Sequence, residues 1–254
     1  MTGRLTVIGL GPGSIQQLTP EASDALQAAD VLFGYGPYLD RVPERVGQRR
    51  HASDNRQELG RATRALTDAA QGANVGVVSG GDPGVFAMAA AVCEALERGP
   101  HQWREIDLAV VPGITSMLAV AARVGAPLGH DFCAMSLSDN LKPWPLVEQR
   151  LRAAAGAGFV IALYNPISRS RPWQLDKAFD LLRSQLPAET PVVFGRAISR
   201  PDESIRVTPL SAAHGSQADM ATCIIVGSAQ TRVLERPDRT ALIYTPRSQS
   251  VPSA

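Results

Sequence analysis

The sequence is short of several things that would otherwise set its class. Its 254 residues include three cysteines, Cys93, Cys133 and Cys223, an odd number, far apart, each inside an apolar run. They form neither a disulfide framework nor a metal-ligand spacing, and read as reduced core thiols of a cytoplasmic protein. Excess charge is missing too: 25 basic residues against 24 acidic ones leave a net charge of +1. A global field that attracts nucleic acid or a membrane surface is thereby excluded, and any anionic partner must be held by local groups. No apolar stretch approaches membrane-spanning length. The first apolar run, Leu5 to Leu10, is too short for a signal peptide and runs into glycines. Internal repeats are absent. What remains is material for a core: the chain is 44% hydrophobic, enough for one large domain or two of about 120 residues. Only the stretch 247–254, rich in Ser and Pro, reads as a disordered tail.

The chain alternates strands with helices. Leu5 to Leu10 is a first strand, leading into Gly9-Leu10-Gly11-Pro12-Gly13. This is not a dinucleotide fingerprint: Ser14 stands where the third glycine belongs, Pro12 removes a backbone donor, and the second strand, Val31-Leu32-Phe33, exits into Gly34-Tyr35-Gly36-Pro37-Tyr38 with no acid until Asp40. Between them Thr19 caps a helix that has Pro20 in its first turn and Ala22, Ala25, Leu26 and Ala29 on one face. Arg49, Arg50 and His51 then form a basic loop before a helix opened by Asp54.

The stretch around Val77-Val78-Ser79-Gly80-Gly81-Asp82-Pro83-Gly84-Val85-Phe86 is the centre of the amino-terminal half. A strand ends in small residues, one carboxylate follows, and Pro83 stands where a helix begins, with Val85, Met88, Ala89, Val92 and Leu96 at helical spacing. Loops at the carboxyl ends of parallel strands are where open α/β sheets bind ligands. Asp82 is either the cap of that helix or a ligand contact. After the next strand, Ile106 to Val111, Pro112-Gly113-Ile114-Thr115-Ser116 places two hydroxyls at a helix start.

A turn-rich connection around residues 125–130 marks the domain boundary, dividing 1–127 from 128–246. Beyond it, Phe132 to Met135 is a strand ending in Ser136-Leu137-Ser138-Asp139-Asn140, and Pro143 and Pro145 start a helix. Phe159 to Leu163 is apolar throughout, hence buried on both faces, and ends in Tyr164-Asn165-Pro166. Pro191 to Phe194 leads to Gly195-Arg196-Ala197, Met220 to Gly227 is a late strand containing Ala221 and Thr222, and Leu242 to Tyr244 forms the last edge. The architecture expected is α/β, two αβα domains with a ligand cleft between them.

Taken together, Gly9 to Gly13 with Leu18-Thr19-Pro20, Gly80 to Phe86, and Pro112 to Ser116 resemble, in order and spacing, the tetrapyrrole methylase family, the S-adenosylmethionine-dependent methyltransferases of cobalamin and sirohaem synthesis. The likeness covers about residues 4 to 245. A narrower likeness is to the ring-contracting branch that methylates a corrin precursor at C-17. It is carried by Gly34 to Leu39, Ser136 to Trp144, Leu163 to Pro166 with Ser168 and Arg171, and Val193 to Arg196. The sirohaem-making relatives have an acid just after the second strand, where Phe33-Gly34-Tyr35 stands here, which tells against uroporphyrinogen as substrate.

The resemblance implies a cytoplasmic homodimer that takes a tetrapyrrole as small-molecule substrate, needs no metal, nucleic acid or membrane, and releases S-adenosyl-L-homocysteine. By matched position Pro12, Gly80, Gly81, Asp82, Val85, Thr115, Ser116, Asn165, Gly195, Ala221 and Thr222 line the cofactor site. Tyr35, Arg49, Arg171 and Arg196 are candidates for the substrate, and Arg50, Arg169 and Arg200 fall on predicted loops as well, where forked guanidinium groups grip its carboxylates. Methyl transfer itself needs alignment and exclusion of water rather than a base. Ring contraction, which expels C-20 as an acetyl group, is helped by removing a hydroxyl proton, and Asp139, Tyr164 and His51 are the candidates. The competing readings are another methyltransferase of the family, acting elsewhere on the corrin ring or on a protein as diphthine synthase does, and a non-catalytic nucleotide-sensing module.

Overall fold

Runs such as Leu5-Thr6-Val7-Ile8 and Val75-Gly76-Val77-Val78 have buried side chains on both faces of the strand, so they serve as interior strands covered from two sides. The computed structural model describes residues 3–168 and 170–248, divided into two units, Met1–Ser116 and Met117–Ala254. Most of the expected tail, 249–254, and Arg169 lie outside the described residues.

The first unit contains β1 (Arg4–Gly9), α1 (Pro20–Ala28), β2 (Val31–Tyr35), the single turn α2 (Gly36–Leu39), β3 (Arg49–Ser53), α3 (Glu58–Ala70), β4 (Asn74–Ser79), α4 (Met88–Arg98) and β5 (Asp107–Val111). Its sheet has the order β3-β2-β4-β1-β5 and every pairing is parallel. Alternate residues feed two cores. Leu5, Val7, Val75 and Val77 pack with Ala62, Leu66 and Val92 of α3 and α4, while Ile8, Leu32 and Val78 pack with Ala22 and Leu26 of α1. The Thr19 hydroxyl accepts from Ala22 N at 3.1 Å and Pro20 opens α1, as the sequence predicts.

Three local expectations change here. Arg49, Arg50 and His51 are not a loop but the body of β3, an edge strand whose register with β2 sets His51 beside Phe33. Helix α3 begins at Glu58 behind Gln57, without a side-chain cap from Asp54. Helix α4 begins at Met88, after Val85, because Phe86 adopts a left-handed φ of 52° that a helix cannot contain.

The second unit contains α5 (Ser116–Val124), β6 (Gly125–Ala126), β7 (Phe132–Ser136), α6 (Trp144–Gly156), β8 (Val160–Tyr164), α7 (Gln174–Arg183), β9 (Pro191–Arg196), β10 (Ser204–Pro209), β11 (Thr222–Val226), β12 (Arg232–Arg236) and β13 (Arg239–Tyr244). The division therefore falls at the start of α5, ahead of the turn-rich segment the sequence suggests. The helix belongs with the second unit because Val120 packs on β9 at Gly195 and Arg123 pairs with Glu203 at 2.7 Å. The main sheet has the order β10-β9-β11-β8-β7 and is mixed, with β7 and β8 parallel and β11 antiparallel to both β8 and β9. Ile161, Leu163, Phe194 and Ile224 form its core with Leu151 of α6 and Leu175, Phe179 and Leu182 of α7. The last strand is not an edge: β13 lies between β12 and β6 in a separate three-stranded sheet. The cysteines are all free, but only Cys223 is buried and Cys93 is exposed, so the reading of three core thiols fails for Cys93. Burial pushes the Cys133 thiol up.

Candidate active site

In the first unit, the loops after β1, β4 and β5 close on one another backbone to backbone. Gly11 N donates to Gly81 O at 3.1 Å and Gly81 N to Gly11 O at 2.9 Å. The third loop joins through Asp82, whose Oδ2 accepts Gly113 N at 3.0 Å while Oδ1 accepts Gly84 N at 2.8 Å. Asp82 thus ties two loops together and does not cap α4. A Cβ at Gly113 would lie 2.3 Å from Gly81 O, a separation no side chain survives, so the glycines are there because three main chains meet. Pro12, Gly80, Gly81, Asp82, Val85, Thr115 and Ser116 are all carried on these three loops.

Other residues brace this arrangement. Arg41 Nη2 donates to Leu10 O and Gly11 O, both at 2.9 Å, and a Cβ at Gly80 would meet the Tyr38 ring at 2.6 Å. Neither partnership is legible locally, since the partners lie on different elements. Arg61, only 3% exposed, donates from Nε to Ser53 Oγ at 2.8 Å and from Nη2 to Asp54 O at 2.8 Å. Burial lowers its proton affinity from the ordinary arginine value.

Of the basic and aromatic candidates, Tyr35 packs edge-on against Tyr38 with centroids 5.4 Å apart. The His51 ring is exposed and stacks on Phe33 at 4.7 Å. Arg50 is occupied inside the unit, donating to Val42 O at 2.9 Å and to Pro43 O, whereas Arg49 is exposed beside it.

In the second unit the mixed sheet explains how residues far apart in sequence reach one end. Because β11 runs against β8 and β9, its start lies at their carboxyl ends: Thr222 is paired with Arg196, and Ile224 with Leu163 two residues before Asn165. Ser136, paired with Tyr164, completes the row. Asn165 Nδ2 donates to Ser136 Oγ at 3.0 Å. Asn165 and Ala197 adopt left-handed φ values of 50° and 47°, conformations that for residues bearing a Cβ are concentrated at functional sites. Gly195 is glycine for packing, since its Cβ would meet Val120 at 2.2 Å.

The remaining candidates are engaged within the second unit. Asp139 Oδ1 accepts from Arg171 Nη1 and from Gln174 Nε2, the latter at 2.8 Å. The Tyr164 hydroxyl accepts Met117 N at 3.1 Å, at the first turn of α5. Arg196 ends β9 and donates to Asp219 at 2.7 Å and to Asp202 at 2.9 Å. Among the described residues no His, Cys, Asp and Glu group could hold a metal, and no helix is long and apolar enough to cross a membrane.

A family model of tetrapyrrole (corrin/porphyrin) methylases matches residues 4–214. The chain belongs to that family. Among its relatives in this tetrapyrrole methylase family, the precorrin-3B C(17)-methyltransferase of a Sinorhizobium species is 64% identical over 97% of both chains. The crystal structure of the methyltransferase CobJ matches with a TM-score of 0.92 and 48% identity, covering 96% of this chain and all of that one. A uroporphyrin-III C-methyltransferase of Thermus thermophilus, crystallised with S-adenosylhomocysteine, matches with a TM-score of 0.67 and 25% identity over 89% of this chain and 98% of its own.

Tetrapyrrole methylases use S-adenosylmethionine as donor, and the strand-end loops fit that molecule by their chemistry. Residues 9–13, 79–87 and 112–117 contain no Lys or Arg, and the one carboxylate among them is already shared by two backbone N–H groups. What they offer is carbonyl oxygens, backbone N–H groups and the hydroxyls of Ser79, Thr115 and Ser116, a neutral set suited to a sulfonium and an amino-acid zwitterion.

Proposed function

We propose that the protein methylates precorrin-3B at C-17 and contracts the macrocycle to precorrin-4 in cobalamin biosynthesis, acting as a cytoplasmic homodimer. The observation that carries this reading is the likeness to the Sinorhizobium precorrin-3B C(17)-methyltransferase, 64% identical over nearly the whole length of both chains. The strand-end geometry supports it.

S-Adenosylmethionine, when bound, supplies a methyl group on a cationic sulfur, already a good electrophile. The first unit's part in holding it falls to the loops carrying Pro12, Gly80, Gly81, Asp82, Val85, Thr115 and Ser116. Asp82 and Gly113 keep those loops at a fixed spacing, so their carbonyls are in place before binding. The second unit contributes the backbone at Asn165, Gly195 and Ala221 and the Thr222 side chain. Pre-set alignment of this kind can supply on the order of 7–11 kcal/mol of the barrier reduction, and the transfer needs no base.

Contraction calls for one proton to leave the C-20 hydroxyl: its O–H electron pair forms the acetyl C=O, the ring bond moves from C-20 to the neighbouring ring carbon, and the lactone carboxylate on that carbon leaves. We assign removal of the proton to His51. Asp139 is engaged by Arg171 and Gln174 and Tyr164 by Met117 N, whereas the His51 ring is exposed and held by stacking on Phe33. An imidazole is suited to accept a proton near neutral pH. Arg49, at the start of the edge strand β3, and Tyr35, at the end of the neighbouring β2, contact the substrate's carboxylate rim. Arg171 acts from the second unit with Asp139 orienting it, and Arg196 acts mainly within the protein.

Incubation of purified protein with S-adenosylmethionine and enzymatically prepared precorrin-3B, read by mass spectrometry and carbon NMR, tests the reading. One added methyl group together with a new acetyl carbon is the expected result. Methyl gain without the acetyl signal would overturn the contraction step. Donor binding with no transfer to precorrin-3B, but transfer to another corrin precursor, would overturn the substrate.

A further inference from the structure

Between β10 and β11 the chain makes a turn at Asp219 on which an unusual number of bonds converge. Asp219 Oδ1 accepts Ala221 N at 2.9 Å and the Thr222 hydroxyl at 2.8 Å, and Oδ2 accepts Arg196 Nε at 2.7 Å. In return Asp219 N donates to Thr222 Oγ1 at 3.0 Å, and Thr222 N donates to Asp219 O at 3.1 Å. The turn then passes its geometry on. Ala221 O accepts Ala197 N at 2.9 Å, where Ala197 has φ 47°, a conformation that persists only when its surroundings hold it.

We infer that Asp219 is a positioning residue for the methyl donor: its carboxylate sets the 219–222 turn, and through it the Ala221 and Thr222 surface and the left-handed bend at Ala197. The inference rests on the proposed placement of Ala221 and Thr222 at the donor. Arg196 has a matching part. It sits opposite Thr222 in the β9–β11 register and anchors Asp219 from one side, while Asp202 holds the other end of the same guanidinium at 2.9 Å. On this account Arg196 belongs to the donor's wall more than to the substrate's carboxylates. A carboxylate suits this place because it can accept from three donors at once, two on one oxygen and one on the other. An alanine satisfies none of them. An asparagine keeps the Oδ1 acceptor and turns an N–H₂ group toward the Arg196 donor.

Calorimetric titration of S-adenosylhomocysteine into the parent protein, Asp219→Ala, Asp219→Asn and Asp202→Asn is the test, run well below each variant's melting temperature. Asp219→Ala is expected to bind about tenfold more weakly and Asp219→Asn about three- to fivefold, with stoichiometry unchanged. Asp202→Asn, whose carboxylate pairs with Arg196, is expected to stay within about twofold. A purely structural Asp219 would lower the melting temperature and leave the dissociation constant of the folded protein where it was. Both Asp219 variants binding within about twofold of the parent would therefore overturn the inference. If Asp219→Ala does not fold, Asp219→Asn decides by itself. A parent protein that fails to bind S-adenosylhomocysteine would be a different failure, of the donor assignment on which the inference stands.

Discussion

Gly113→Ala adds one methyl group where three main chains meet, and its consequence follows from distances. The new Cβ would stand 2.3 Å from Gly81 O, 3.0 Å from Gly9 C and 3.1 Å from Gly11 N. A carbon and a carbonyl oxygen come no closer than about 3.3 Å at rest, so the loops must separate by roughly 1 Å. All three neighbours are backbone, so no side chain can swing aside. The separation acts on Gly11 N to Gly81 O, Gly81 N to Gly11 O and Gly113 N to Asp82 Oδ2, at 3.1, 2.9 and 3.0 Å. Losing these three, at about 1 kcal/mol each, costs about 3 kcal/mol. For a unit of roughly this size the melting temperature falls by about 10 °C. Gly60→Ala is the matched control. Its Cβ would meet nothing within 4 Å and it lies in α3, where alanine is favoured over glycine by about 0.5–1 kcal/mol. Thermal melts of the two variants, with S-adenosylhomocysteine titrations, give opposite signs if the reasoning holds. A Gly113→Ala protein that melts within about 3 °C of the parent and keeps its affinity would refute it.

Three further outcomes follow from the geometry. Tyr164→Phe removes the acceptor for Met117 N and is expected to lower stability by about 1 kcal/mol while ring contraction continues. Loss of contraction with methylation intact would return Tyr164 to the chemistry. His51→Gln is expected to slow contraction by about 100-fold or more and to leave methyl transfer nearly unchanged, read by separate mass and NMR signals, and equal rates for parent and variant would remove His51 from the mechanism. The third concerns acid. The hydrogen bond from Arg123 holds Glu203 below the usual carboxylate range, and Ser199 N adds to it. For Asp219 burial works upward, but bonds from Arg196, Thr222 and Ala221 outweigh it and the net direction is down. Groups lowered in the folded state stabilise it above their ordinary values, and that contribution disappears as pH falls through the lowered ones. Melting temperature should therefore drop as pH falls below the ordinary carboxylate range, and less steeply in Glu203→Gln. Identical pH profiles would contradict the assignment.

Much of this protein is written locally. Leu5 to Gly9, Val75 to Ser79 and Val160 to Tyr164 are apolar on both faces, and that alone requires strands covered from two sides. Thr19-Pro20 specifies the start of α1 through one hydroxyl and one ring, and the glycine loops declare themselves because close main chains admit no side chain. The sequence by itself therefore determined the strand and helix alternation, the placing of the candidate site at strand ends, and, by resemblance, the family.

Tertiary structure decided what the sequence could not hold within one window. Asp82 precedes a proline, as a helix cap would, but a left-handed Phe86 postpones α4 and leaves the carboxylate to Gly84 and Gly113. Arg196 and Asp139 look like free charges until residues 23 and 32 positions away come to meet them. The arrival of Ala221 and Thr222 beside Arg196 depends on β11 running antiparallel in an otherwise α/β pattern. Strand direction and long-range ion pairs are properties of how elements pack, and periodicity along the chain contains no record of them.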